Sequence, residues 1–419
     1  MPLLGSIADD FTGATDLAGM LVKYGMRAVQ MIGVPRLPPP ADVDAIVVAL
    51  KSRTVPPQEA VDASLAALDW LRATGCRQFL FKYCSTFDST DRGNIGPVAD
   101  ALMEALGTDF TIACPALPTN RRTVFHGYLF VGDGLLHESG MRHHPLTPMT
   151  DSNLVRVLQR QSKHRVGLVP YETVRRGAAE IRSAFAAERT AGHGIGIVDA
   201  VCDADLVELA AACRDMPLLT GGSGVGIGLA TDFAARGLLP EASGAGGLPH
   251  VEGPAVVISG SCSQATQRQV SAMRCEAPSF RVDPLRLAAG AEVVAEAVDW
   301  ALARLPQGPA LIYSTADPAA VRAVQDKLGA DAGGLVEEAL AAIACRLVAG
   351  GARRLIIAGG ETAGAVVSAL GVSGLRIGPE IDPGVPWTTS LGERTLALAL
   401  KSGNFGTDDF FLKAWSKLP

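Results

Sequence analysis

The chain has 419 residues, of which 48% are hydrophobic, 19% charged and 5% aromatic, and its formal net charge is -6. That length exceeds one compact core and, at roughly 150 residues per domain, predicts two or three domains. The acidic balance and the scattered aromatics, with no lysine or arginine run, exclude a nucleic-acid binder. No stretch reaches the roughly 18 uncharged apolar residues of a membrane helix, and no basic segment opens the N-terminus as a signal peptide would. The 8 cysteines stand singly, without a CxxC pair, so reduced thiols and a cytoplasmic location are expected.

From the N-terminus, an apolar run over 3–8 stops on Asp9 and Asp10, and Leu17, Met20, Leu21 and Tyr24 then recur at helical spacing. A strand whose carboxyl end opens into a helix is the expected reading, with Thr12, Thr15 or Asp16 available as the cap. Ligands of open α/β sheets bind beyond the carboxyl ends of strands, which makes Asp9 and Asp10 candidates for chemistry. The plainer alternative is that one caps the helix and the other is solvated. Strands are predicted at 28–33, 45–50 and 78–82, with a proline-rich loop at 35–40 and a helix at 57–74, the βαβ rhythm of a parallel sheet.

The strand ending at Lys82 runs into Ser85, Asp88, Ser89, Asp91 and Arg92, ahead of a helix at 97–106. Small polar donors at a helix N-terminus suit an anionic ligand. The alternative is a capped loop in which Arg92 pairs with Asp88 or Asp91. After a strand at 111–116, the segment from Thr119 to Asp151 is rich in Gly, His and Arg with little periodicity, which predicts a functional loop or lid. Arg142 and His143 are its candidate substrate contacts. A metal is not expected there, because His143 and His144 are adjacent and cannot both face one ion in regular structure.

A helix at 151–162, one running through Glu188 and one at 204–214 alternate with strands at 165–169, 194–199 and 217–220. Asp199 ends its strand as Asp9 does, which nominates it for the same crevice. The glycine-rich run 221–228 offers no G-x-G-x-x-G frame, so either an anion rests on its amides or the glycines serve close helix–strand packing. The small-residue stretch that follows predicts a boundary, with one domain over 1–241, a linker over 242–250 and a second domain over 251–419.

In the second domain a strand at 255–259 runs into Ser259-Gly260-Ser261, followed by a helix at 264–275 and a strand at 279–283. Asp283 stands where an acid meets a ribose in βαβ nucleotide sites, or is a solvated strand end. A strand at 309–314, a helix at 334–349 and a strand at 354–358 lead to Gly359, Gly360, Glu361, Thr362 and Ala363. Amides freed by glycine beside a threonine hydroxyl suit a polyphosphate. A Walker loop is excluded, because no Gly-Lys pair occurs. A last strand at 396–400 ends in a turn containing Gly403 and Asn404. The expected fold class is α/β: two domains, each a mostly parallel sheet flanked by helices, with a ligand cleft between them.

Residues 7–14, the run Asp88-Ser89-Thr90 with Arg92-Gly93-Asn94-Ile95-Gly96, Ser259-Gly260-Ser261, Gly359-Gly360-Glu361-Thr362 and the 401–406 run together resemble the four-carbon acid sugar kinase family, in order and over essentially the whole chain. Residues 82–90, 114–118 and 140–150 are similar to its 3-oxo-tetronate kinase branch. The resemblance implies an N-terminal domain for the sugar acid, a C-terminal domain for ATP, and phosphorylation of the C4 hydroxyl of a 3-oxo-tetronate such as 3-dehydro-erythronate. Ser259, the turn Gly360 to Ala363 and Gly403 would contact ATP, with Gly359 and Asn404 beside them. Phosphoryl transfer further predicts Mg²⁺ with ATP and an acid near the attacking hydroxyl. Asp9 or Asp10 is that acid, and Lys82 and Arg92 hold the substrate carboxylate or the moving phosphoryl group. Thr12, Ser85, Asp88 and Ser89 are further substrate contacts, and domain closure would exclude water. A homodimer is left open. The alternatives are a threonate or erythronate kinase, a nicotinamide-dependent dehydrogenase, and a non-catalytic sensor of sugar acid and nucleotide.

Overall fold

The computed structural model describes every residue except 37, 145, 240–243, 329–331 and 419. It divides into two compact units, Met1–Ala245 and Gly246–Pro419. Residues 242 and 243 of the expected linker lie outside the described residues.

In the first unit the strands are β1 (Leu4–Ala8), β2 (Ala28–Ile32), β3 (Ala45–Ala49), β4 (Gln78–Lys82) and β5 (Thr111–Cys114), then the short β6 (Arg122–Phe125), β7 (Tyr128–Val131) and β8 (Gly134–Leu135), and finally β9 (Arg165–Val169), β10 (His193–Val198) and β11 (Leu218–Gly221). The main sheet runs β2-β3-β1-β4-β11-β5-β10-β9 with parallel pairing throughout. β1, β3 and β4 are buried along their whole lengths, which is why they read as unbroken apolar runs instead of alternating patterns. Each fully buried Leu, Ile or Val adds roughly 1.5–3 kcal/mol of transfer free energy.

The segment expected as a lid is more ordered than its periodicity suggests. Strands β6, β7 and β8 form an antiparallel sheet of their own, and 3₁₀ turns follow at Leu136–Glu138 and Gly140–His143. These strands have four residues or fewer, too short for a period-2 pattern to register.

The second unit contains β12 (Ala255–Ser259), β13 (Ser279–Arg281), β14 (Ala310–Tyr313), β15 (Arg354–Ala358), β16 (Gly374–Asp382), β17 (Val385–Ser390) and β18 (Ala397–Lys401). Their order is β13-β14-β12-β15-β18-β17-β16, parallel except that β17 runs antiparallel to both its neighbours. Trp387, Phe410 and Phe411 anchor the core on the β17 side, and the Trp387 indole donates to the Ala414 carbonyl at 2.8 Å.

In both units the winding reverses about a central strand. β1 lies between β3 and β4, and β12 lies between β14 and β15. The crevice beyond the carboxyl ends at such a point is where open α/β sheets bind ligands.

Candidate active site

Three strand ends meet at the β1 crevice. β1 delivers Asp9 and Asp10, the turn after β3 delivers Arg53, and β4 delivers Lys82 and then Asp88. Arg53 clamps Asp9 with two bonds (Nε–Oδ2 2.8 Å, Nη2–Oδ1 2.9 Å), reaches Asp10 Oδ1 at 2.8 Å and faces Asp88 Oδ2 at 3.5 Å. Lys82 Nζ meets Asp10 Oδ1 at 3.2 Å. Three carboxylates thus share two cations. Burial pushes the Asp9 carboxyl up from its ordinary value, against the pull of Arg53. For Asp10 burial acts the same way, but Arg53 and Lys82 outweigh it and hold the carboxyl well below the usual range. Burial alone would lower Lys82, yet Asp10 and Asp9 raise it, so it stays an ammonium.

Asp10 also caps helix Phe11–Lys23. Its carboxylate accepts from the Gly13 amide at 3.2 Å and from the Thr12 hydroxyl at 3.1 Å. Capping is therefore only part of its work, since the same side chain takes both cations. The glycines of this motif make room: a Cβ on Gly13 would lie 1.6 Å from Lys82 Nζ, and one on Gly93 would lie 1.7 Å from Ser89 Oγ. The Asn94 amide holds the turn that carries Arg53, donating to the carbonyls of Ser52 at 2.8 Å and Val55 at 2.9 Å. Gln161 bridges Ser89 Oγ and the Gly96 amide.

Asp9, Asp10, Lys82, Asp88 and Thr12 thus come together at this crevice, and Ser89 stands beside them on Gln161. Ser85 is half-buried on the turn between Lys82 and Asp88. Arg92 does not join the cluster. Its side chain is exposed, Asp88 is met by Arg53, and Asp91 is met by Arg160 at 3.0 Å. Arg142 and His143 are exposed on the 3₁₀ turn, which is tied to the site through Met149: its amide donates to Met141, and its sulfur accepts from the Ser89 amide. Arg53 was missed because it follows β3 by four residues, inside a short polar stretch without a motif.

Asp199 belongs elsewhere. It lies four strands from β1, about 19 Å at the usual strand spacing. Its fully buried carboxylate accepts from the amides of His126, Gly127 and Tyr171 at 2.6, 2.8 and 2.9 Å. The run 221–228 is resolved in favour of packing. A Cβ on Gly221, Gly222 or Gly224 would come within 2.3, 2.6 and 2.2 Å of the carbonyl oxygens of Cys114, Pro115 and Ala116.

At the β12 crevice the chain removes side chains. Gly359 has φ +124°, and a Cβ on it would lie 2.9 Å from Thr362 Oγ1; one on Gly260 would lie 2.3 Å from the same atom. Helix Gly360–Ala369 begins there, and the first amides of a helix lack intrahelical acceptors. The adjoining cavity has a volume of about 310 Å³. Gly260 to Cys262 and Gly359 to Thr362 form its polar end, with Arg281 and Ser314 at the strand ends. Val321 and Val324 of helix Pro318–Leu328 and Val336 of helix Ala332–Ala349 add apolar lining, beside Gln325 and Glu337 of the same helices.

Gly359, Gly360, Glu361 and Thr362 line the cavity. Ser259 does not: its hydroxyl is fully buried against Thr315 Oγ1 at 2.7 Å, and the serine of the 259–261 turn that lines the cavity is Ser261. Ala363 is buried, its amide donating to the Gly359 carbonyl. Gly403 supports Ser261 from below, where a Cβ would come within 2.6 Å of the serine oxygen, and Asn404 is exposed on the same turn. Asp283 caps helix Pro284–Ala288 by accepting from the Leu285 amide at 2.9 Å, which accounts for its place at the strand end.

The chain matches, over residues 4–229, a family model described as a sugar-binding N-terminal domain and, over 256–411, one described as a nucleotide-binding C-terminal domain. A 3-oxo-tetronate kinase of Burkholderia multivorans is 60% identical over 414 residues, covering 99% of this chain and 96% of the relative. The enzyme of that name from Salmonella typhimurium is 48% identical, covering 98% of each. Among solved structures, a Salmonella typhimurium LT2 protein matches with a TM-score of 0.92 at 47% identity over 100% of both chains. A Haemophilus influenzae protein matches with 0.83 at 45% identity, covering 99% of this chain and 100% of that one.

Proposed function

Since this chain belongs to the four-carbon acid sugar kinase family, in its 3-oxo-tetronate kinase branch, we propose that the two crevices divide one phosphoryl transfer between them. The enzyme is an ATP-dependent phosphotransferase that phosphorylates the C4 hydroxyl of a 3-oxo-tetronate, giving the 4-phosphate and ADP. The C4 oxygen forms its bond to the γ-phosphorus as the bond to the β-phosphate oxygen breaks. The proton of the hydroxyl must go to a nearby base.

The observation that carries the assignment is the charged cluster at the end of β1. Asp10 is the carboxylate that orients the hydroxyl and, as the base, receives its proton. Its side chain keeps 26% exposure, whereas that of Asp9 keeps 7% with both oxygens held by Arg53. The transition state of phosphoryl transfer is loose, so placing the acid matters more than its basicity. Asp9 and Asp88 hold Arg53, and Lys82 fixes Asp10. The five charges sum to -1, so the substrate carboxylate needs a cation from outside the cluster. Arg92 and Arg142, exposed on neighbouring turns, are the side chains we assign to it.

At the second crevice the glycine cradle takes the phosphates, and the valines beyond it suit the flat apolar face of adenine. No cluster of three His, Cys, Asp or Glu side chains able to hold a metal exists among the described residues. Magnesium keeps mostly phosphate and water oxygens around it and takes few protein ligands, so a Mg²⁺ would arrive on the nucleotide. Glu361, at the cradle, is the protein carboxylate we assign to it. Bound magnesium would neutralise charge on the phosphates.

The test is ADP release from MgATP with 3-oxo-tetronates of both hands, threonate, erythronate and a no-acid control. Turnover confined to an oxo acid is expected. Turnover with threonate or erythronate alone overturns the substrate, and no turnover with any acid overturns the kinase reading.

A further inference from the structure

Lys401 closes β18 with its side chain wholly inside the second unit. Its three ammonium donors are all used: Nζ bonds Thr266 Oγ1 at 3.0 Å, the Ser402 carbonyl at 2.8 Å and the Gly403 carbonyl at 3.0 Å. Every one of these partners is neutral. No carboxylate of the described residues forms an ion pair with it. The charged groups on the surrounding elements are engaged elsewhere: Arg268 with Asp408 at 2.7 Å, Lys413 with Asp382 at 2.7 Å and Asp409 at 3.5 Å, and Arg354 on the Gly253 carbonyl. Glu361 opens the helix after β15, at the cradle. A buried cation without a counter-ion is costly, and a protein normally pairs or neutralises it.

The missing counter-ion has an evident source. The Gly403 carbonyl that Lys401 holds also accepts from Ser263 Oγ and Thr266 Oγ1, and a Cβ on Gly403 would come within 2.6 Å of Ser261 Oγ at the cavity wall. Lys401 is thus separated from the cradle by one turn, and buried charges are poorly screened. We propose that Lys401 is a positioning residue of the donor site: it clamps the Ser402–Gly403 turn beneath the cradle and draws a proton from solvent when a polyphosphate binds. Nucleotide binding and protonation of Lys401 are then one linked equilibrium. This rests on the assignment of the second crevice to ATP. Burial brings Lys401 down to about 7, so the unliganded protein holds it only partly charged at neutral pH. An anion at the cradle favours the ammonium and raises that value. Affinity is therefore greatest below pH 7 and declines as pH rises through the unliganded and then the liganded value.

Calorimetry of the full chain with MgADP, in buffers of different ionisation heat between pH 6.5 and 8.5, reads the protons exchanged. A rise of about one unit on binding gives an uptake of about half a proton near pH 7.5 and roughly tenfold weaker affinity at the alkaline limit. K401R keeps the charge at every pH, so its uptake vanishes and its affinity becomes independent of pH over this range. Should arginine not fit the buried slot, K401M serves instead: its uptake also vanishes, with affinity about tenfold weaker. MgADP binding without uptake between pH 7 and 8.5, uptake centred below pH 6.5, or uptake that persists in either folded variant overturns the proposal. Absence of MgADP binding at every pH overturns the nucleotide assignment itself.

Discussion

The β1 and β12 crevices occupy equivalent points in two similarly wound sheets, yet one is filled with charged side chains and the other is emptied of side chains. At β1 five charged groups from three strand ends are joined into one network by the ion pairs of Arg53 and Lys82. At β12 Gly260, Gly359 and Gly403 crowd around Ser261 and Thr362 so closely that a methyl group on any of them would collide. The winding supplies a place and says nothing of the chemistry done there. A small hydroxy acid has to be oriented by fixed charges, whereas a phosphate chain has to approach backbone amides closely.

Breaking the charged crevice should have the largest effect. R53M leaves three carboxylates to one lysine, and loss of a buried ionic partner costs about 3–5 kcal/mol. Thermal and urea unfolding should show this, with turnover lost as well; wild-type stability would mean that Arg53 is not the hub. D10N tests the acid itself. A drop of about 10²–10⁴-fold in kcat is expected, whereas full activity moves the role to Asp9. The same variant has a pH signature. Asp10 is held below its ordinary 3.8 in the folded chain, so its contribution is complete above that value and fades as pH falls below it. D10N should accordingly flatten acid unfolding below about pH 4.

The emptied crevice is tested by G359A. A non-glycine residue at this backbone angle costs about 1–3 kcal/mol, which should weaken MgADP by roughly ten- to a hundredfold and leave sugar-acid binding intact. Loss of both ligands would erase the contrast. Smallest is Y83F, beneath the charged site, where the phenol bonds Thr220 Oγ1 at 3.0 Å. Its removal should cost about 1 kcal/mol in unfolding free energy without altering KM.

Much of this architecture was legible in the chain. The buried strands read as apolar runs because both faces of a parallel sheet are covered, and Asp9, Asp10 and Gly359 to Thr362 stood out because each follows such a run. Arg53 was not legible: its role depends on β3 lying beside β1, a neighbour relation that sequence order does not reveal. The same ignorance placed Asp199 in the wrong crevice, since every parallel strand ends on the same edge and only strand order separates them. Ser259 and Ser261 differ in whether the hydroxyl faces the core or the cavity, which depends on side-chain direction at the strand end.

Asp199 also has a consequence for how the molecule opens. One carboxylate holds three amides from two segments more than forty residues apart, His126 and Gly127 at the hairpin turn and Tyr171 after β9. None of the three can exchange its proton with solvent while that carboxylate stays in place. In deuterated water they should exchange at a common rate, as one cooperative unit at this edge of the sheet, and D199N should accelerate all three together.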